Sequence, residues 1–158
     1  MTTTRTHIKP VIIKNLLAGA IITLGLLVTG CASVPLASPE ADNAAKRFVP
    51  PTDGKASVYI YRNSFVGQAL KKTVSVDNRA LGQTANKVFF YTTVTPGSHQ
   101  LSTESEFGDN TLDFTANAGM NYFFEQYIKM GVFVGGANLK AVSEDEGKAN
   151  VLKCRLAQ

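Results

Sequence analysis

Gly54-Lys-Ala-Ser-Val-Tyr-Ile-Tyr-Arg62 decides the fold class. Valine, isoleucine and tyrosine crowd it, and such side chains fit a pleated, half-buried surface. Successive residues of a strand point to opposite faces, so Val58 and Ile60 share one face and Tyr59 and Tyr61 the other. A strand is expected over 55–63. Arg62 ends it on the Val58–Ile60 face, where a buried charge is costly unless paired. Its stem is expected to cover apolar surface while its head reaches a carboxylate or backbone carbonyls.

Downstream, similar short runs alternate with turn residues, the pattern of an all-β domain. Strands are expected over 71–78 (Val74 and Val76 inward), 80–84, 87–94 (Val88, Phe90 and Val94 on one face) and 98–106 (Leu101 inward). Others follow over 111–116 (Leu112 and Phe114 inward), 120–130 (Tyr122, Phe124, Ile128 and Met130 on one side) and 138–142. Asp77-Asn78 and Phe107-Gly108-Asp109-Asn110 mark turns. Thr95-Pro96-Gly97-Ser98 suits a type II turn, because glycine accepts a positive φ. Ser143-Glu144-Asp145-Glu146 reads as a capping box opening a short helix over 144–153, which Gly147 weakens. The expected fold is a small antiparallel β-sandwich of about seven strands over 54–158, with a short C-terminal helix.

Upstream the chain changes character. Residues 31–53 hold Pro35, Pro39, Pro50 and Pro51 among alanines and serines, without an apolar period. They read as a flexible tether, spanning about 25 Å root-mean-square as a free coil. Before them, Arg5, Lys9 and Lys14 lead into an apolar run from Leu16 to Val28. That run falls short of the roughly 20 residues a bilayer core requires and has the length of a signal-peptide core. Val28-Thr29-Gly30-Cys31 resembles the lipobox of bacterial lipoproteins. Small residues let the peptidase cut between Gly30 and Cys31, and only a thiol can take a thioether-linked diacylglycerol. Residues 1–30 are therefore expected to be a lipoprotein signal peptide, and Cys31 the residue that joins the chain to membrane lipid. Ala32, where inner-membrane lipoproteins of diderm bacteria carry aspartate, resembles the outer-membrane class facing the periplasm.

The charge balance changes with that reading. The chain has 16 Lys+Arg against 12 Asp+Glu, and three of the basic residues precede Cys31, which leaves 13 against 12. The basicity thus belongs largely to the export signal, and no nucleic-acid partner is expected. Cys154 is left without an intramolecular partner once Cys31 is acylated, and is expected to be buried between Leu152 and Leu156.

Gly54 to Arg62, Val76-Asp77, Lys87-Val-Phe-Phe-Tyr91 and Thr95-Pro-Gly-Ser-His99 together resemble a bacterial family, domain of unknown function 2846, over about residues 54–142. The Pro-Gly-x-His turn is also similar to that of PEGA domains. The resemblance implies a β-sandwich in a small secreted or lipid-anchored protein, with no known enzymatic activity.

Catalytic chemistry is not expected. His99 is the sole histidine beyond Cys31. It lies in a Pro-Gly turn, where it is expected to pack rather than serve a triad, which needs a base held by a carboxylate beside a nucleophile. One histidine and one cysteine do not make a zinc site, the EF-hand spacing is absent around Glu144–Glu146, and no metal or cofactor is expected. Two functions remain open: a non-catalytic envelope module that binds a protein or cell-wall partner, or a structural, self-associating lipoprotein.

If each connection reverses direction, the loops after the strands at 55–63, 98–106 and 120–130 share one end. These loops carry Phe65-Val66-Gly67, Phe107-Gly108 and Phe133-Val134-Gly135. Phe65, Val66, Phe133 and Val134 are the candidate partner surface, since loops on a rigid scaffold often carry binding function. Phe107 is expected to fold back onto the core. The tether is expected to join the first strand at the opposite end, pointing the aromatic end away from the membrane.

Overall fold

The structure, a computed structural model, describes residues 32–158. The signal segment, Gly30 and Cys31 lie outside the described residues. In order come α1 (Pro39–Ala45), β1 (Ala56–Arg62), β2 (Lys72–Val76), β3 (Arg79–Thr84), β4 (Val88–Val94) and β5 (Gly97–Glu104). β6 (Asp109–Ala116), β7 (Asn121–Lys129), β8 (Gly136–Val142), α2 (Glu144–Val151) and β9 (Arg155–Leu156) complete the chain.

The strands form a five-stranded sheet, β8-β7-β1-β4-β9, facing a four-stranded sheet, β3-β2-β5-β6. The all-β sandwich is therefore present, with nine described strands rather than about seven. It is also not wholly antiparallel: β1 runs parallel to β7 and β9 parallel to β4.

β1 occupies the centre of the larger sheet, and all seven of its residues are buried. Its two faces feed two cores. Val58 and Ile60 pack with Phe90 and Phe124 against Val74, Val76 and Leu101 of the smaller sheet. Tyr59 and Tyr61 lie on the outer face with Phe89 and Phe123, beneath Ala45 and Val151 of the two helices. Tyr59 stacks on Phe123 with ring centroids 4.9 Å apart. Each large apolar side chain buried this way stabilises the fold by roughly 1.5–3 kcal/mol, so the helices close a second core.

Local chemistry fixes the turns and the C-terminal helix. Asp77 and Asn78 both take positive φ, 49° and 63°, the two-residue geometry whose twist matches the strands of a hairpin. The Ser143 hydroxyl accepts the amide of Glu146 at 3.3 Å and opens α2. Gly147 lowers helix propensity, yet a Cβ there would overlap the Phe123 ring. The same glycine that weakens α2 in isolation lets it dock. Between the sheets, Gln126 donates to the Thr103 hydroxyl at 2.7 Å and accepts from that of Thr84. This fully buried network ties β7 to the smaller sheet.

Residues 32–53 are not a free tether. Leu36 bridges to Ala157, and the Ala37 amide donates to the Leu156 carbonyl at 2.9 Å. Ser38 caps α1 and Pro39 starts it. The buried Asp42 carboxylate accepts the Leu156 amide at 2.7 Å and pairs with Lys46 at 2.8 Å. The Phe48 carbonyl then accepts from Asn121 at 2.8 Å, beside the start of β7. The segment is a strap across the outer face, held because each polar group that it buries finds a partner.

Candidate functional site

Directions within the sheets bring the loops after β1, β5 and β7 to one end. Their contacts join them into one surface. Gly67 backs onto Ile128, and Gly135 onto Leu70. The Glu106 carboxylate accepts backbone amides of Val132 at 2.7 Å, Phe133 and Val134 at 3.1 Å. These bonds, the Phe133 amide foremost, hold the Glu106 carboxyl below the ordinary range of a glutamate. A Cβ on Gly131 would overlap the Val134 carbonyl, so the 130–135 loop needs glycine there to close around Glu106.

Apolar side chains crown this end. Phe65 is 79% exposed, Phe133 83% and Met130 92%, while Val66 and Val134 are about half exposed. Phe107, at 78%, does not fold back onto the core. β5 ends at Glu104, and the turn closed by the Ser105 amide on the Gly108 carbonyl at 2.9 Å lifts Phe107 out of strand register. It meets Phe133 edge-on instead, centroids 6.5 Å apart. Met130 leaves the inward face in the same way, because β7 stops at Lys129.

Arg62 supports the end from below. It is completely buried, donating Nη1 to the Leu70 carbonyl at 2.8 Å and Nη2 to that of Gly67, with no carboxylate among its partners. Burial pushes its pKa down. Two carbonyls of the 63–71 loop thus hold a guanidinium in the core, and it fixes that loop in return.

The strap begins against this end. The Ala32 amide donates to the Gln68 carbonyl at 3.2 Å, and the Gln68 amide to that of Phe65, also at 3.2 Å. Ala32 and Val34 pack against the inner core. The described chain therefore begins at the aromatic end and crosses the body before starting β1. A coil leading straight into β1 would have placed it at the other end.

At that other end, His99 Nδ1 meets Asp77 at 2.7 Å and Nε2 meets the Thr95 carbonyl at 2.7 Å. Desolvation, the largest influence, lowers its pKa, but the bonds to Asp77 and Thr95 together raise it above the ordinary value. Cys154 is buried, its thiol directed at the Arg62 carbonyl at 3.8 Å, and burial pushes its pKa up to about 12. Leu156 flanks it on the covered side, while Leu152 is exposed. Among the described residues, no group of three His, Cys, Asp or Glu is placed to hold a metal, and no helix is long and apolar enough to cross a membrane.

Sequence reading missed Glu106, Met130 and Val132 as parts of the end. Glu106 carries no signal of its own, since a carboxylate before a turn is ordinary. The helical strap did carry one: Ser38-Pro39-Glu40 is a capping serine, a proline at the first helical position and an early acid.

Fold and loops together define a small two-sheet β-sandwich with helices over one face and an apolar loop end. The chain belongs to the family described as Protein of unknown function (DUF2846), which it matches over residues 52–137. It is also similar to an uncharacterized protein of Haemophilus influenzae, 50% identical over 146 residues, covering 92% of this chain and 87% of that one. No solved structure matches it.

Proposed function

We propose that this protein is an exported lipoprotein of the cell envelope. Residues 1–30 are removed, Cys31 carries the lipid, and the sandwich is held in the outer membrane facing the periplasm. The observation that carries this reading is Val28-Thr29-Gly30-Cys31, set behind a basic segment and a short apolar run. The packed body begins directly afterwards, at Ala32.

The sandwich acts without catalysis. Supporting this, His99 has both ring nitrogens engaged and the Cys154 thiol is buried far from its reactive form. A protein or cell-wall partner meets the end opposite the strap's beginning. There a groove of about 450 Å³ runs between Asp77, Arg79, Thr93 and His99. A second reading, self-association in an envelope assembly, is favoured by the exposed Phe107–Phe133 pair.

Metabolic labelling with a palmitate analogue tests the anchor. The wild-type chain should take up label and the Cys31→Ala variant should not, accumulating as a longer precursor. Equal labelling of the two would overturn lipid attachment at Cys31.

A further inference from the structure

We propose that the aromatic loop end is a membrane-contact surface. On the anchored protein Phe65, Phe107, Met130, Val132 and Phe133 sit in the headgroup region of the same bilayer that holds Cys31. The sandwich then stands end-on upon the membrane instead of on a stalk. This rests on the lipid attachment proposed above.

The first observation is where the chain comes in. Consecutive Cα atoms are about 3.8 Å apart, so the lipid-bearing residue is one step from Ala32. Ala32 is bonded to Gln68, and Gln68 to Phe65. With Ala32 and Val34 packed on the core, no slack chain separates anchor from loop. Turning the aromatic end away from the bilayer would require peeling the strap off.

The second observation is composition. Of nine phenylalanines, the three that are exposed are Phe65, Phe107 and Phe133, and all lie on these loops. Exposed apolar clusters mark protein or membrane contacts, and phenylalanine is among the residues that interfacial segments bury at the headgroup–acyl boundary. The anchor already confines the protein to the surface, so the loops need supply only the modest energy that fixes its orientation.

The third is charge. The Glu106 carboxylate is engaged by three amides of the neighbouring loop, and Glu104 pairs with Lys72 at 3.6 Å. Lys71 and Lys129, exposed at the roots of two loops, outnumber the exposed Asp109. Lysines so placed can reach lipid phosphates while their stems lie along apolar surface.

The chain contains no tryptophan, so Phe133→Trp introduces a single tryptophan, excited apart from the five tyrosines, at an exposed position. The full lipoprotein, extracted with its anchor, is placed in vesicles of phosphatidylethanolamine and phosphatidylglycerol carrying brominated acyl chains. Met120→Trp, on the turn before β7 at the far end, is the comparison. Bromolipid should quench the tryptophan at 133 by about twofold or more, with a blue shift, and leave the one at 120 unchanged. Palmitate labelling of the same preparations separates the failures. A labelled protein whose tryptophan at 133 is neither quenched nor shifted would overturn the contact surface and leave the anchor standing. A blue shift without quenching would overturn it in favour of a protein, or a second copy, covering the loops. Absence of label would overturn the anchor and this orientation together.

Discussion

Ala32 donates its amide to the carbonyl of Gln68, 3.2 Å away, and so fastens the first described residue to the loop that carries Phe65. This bond sets the chain's course. Residues 32–37 run beside β9, α1 crosses the outer face, and Pro51 reaches the turn at Gly119.

Asp42 is the strap's clasp. It is buried, and accepts both the Leu156 amide and the Lys46 ammonium. Asp42→Ala removes the acceptor from a buried amide and a nearby cation, and should cost about 2 kcal/mol. Urea unfolding followed by circular dichroism measures that loss. Limited proteolysis should also cut between Pro35 and Val49 faster than in the wild type.

Much of this architecture was legible in the sequence. The eight longer strands coincide with expected runs, though Arg79–Thr84, Gly97–Glu104 and Gly136–Val142 are poor in β-branched and aromatic residues, and counting the strands' directions grouped the three aromatic loops. What stayed hidden was non-local. β9 is two residues long, and nothing in Arg155-Leu156 announces a parallel pairing with Val88 and Phe89. Both faces of β1 are apolar, but only the folded helices show what covers Tyr59 and Tyr61. The prolines and alanines of 32–53 mimic a linker, because the strap is held by acceptors such as the Leu156 carbonyl that lie over a hundred residues away. Reading it as a tether hid the contact between Ala32 and the loop that carries Phe65.

Arg62 sits in the core without a counter-ion, so its worth lies in the two carbonyls it satisfies. Arg62→Ala should destabilise by roughly 3 kcal/mol through the cavity and the stranded carbonyls. Arg62→Lys, which keeps the charge but a single donor nitrogen in place of the two that reach Leu70 and Gly67, should lose less. Hydrogen exchange should show the Gln68 and Leu70 amides opening faster in both, ahead of those in β1.

Glu106 should control one loop and little else. Glu106→Ala removes the acceptor of three amides without touching the core, so the melting temperature should hardly move. Amide exchange at Val132, Phe133 and Val134 should accelerate. In the wild type the same amides should lose protection on acidification only below the ordinary glutamate value, because the bonds lower its pKa.

The His99–Asp77 pair gives stability a pH signature. The folded pKa of His99 is raised, so its contribution is fully present below about 6.5, its unfolded value, and is lost as pH rises through the folded pKa. Asp77 is lowered: desolvation, its largest influence, raises it, but the bonds from Gln100 and His99 outweigh that. Its contribution is present above about 3.9 and fades as pH falls through the folded value. The pair should stabilise most between about pH 4 and 6.5. Melting temperatures should fall from pH 6 to 9 more steeply in the wild type than in His99→Gln. Parallel curves would contradict the pairing.

Intact-mass and peptide mass spectrometry of the protein extracted from membranes tests the lipoprotein reading most directly. The expected N-terminal peptide begins at Cys31 and carries the added mass of a diacylglycerol, with or without a further acyl chain. A peptide reading through Gly30 into an unmodified Cys31, from a protein recovered in quantity and correctly folded, would contradict it.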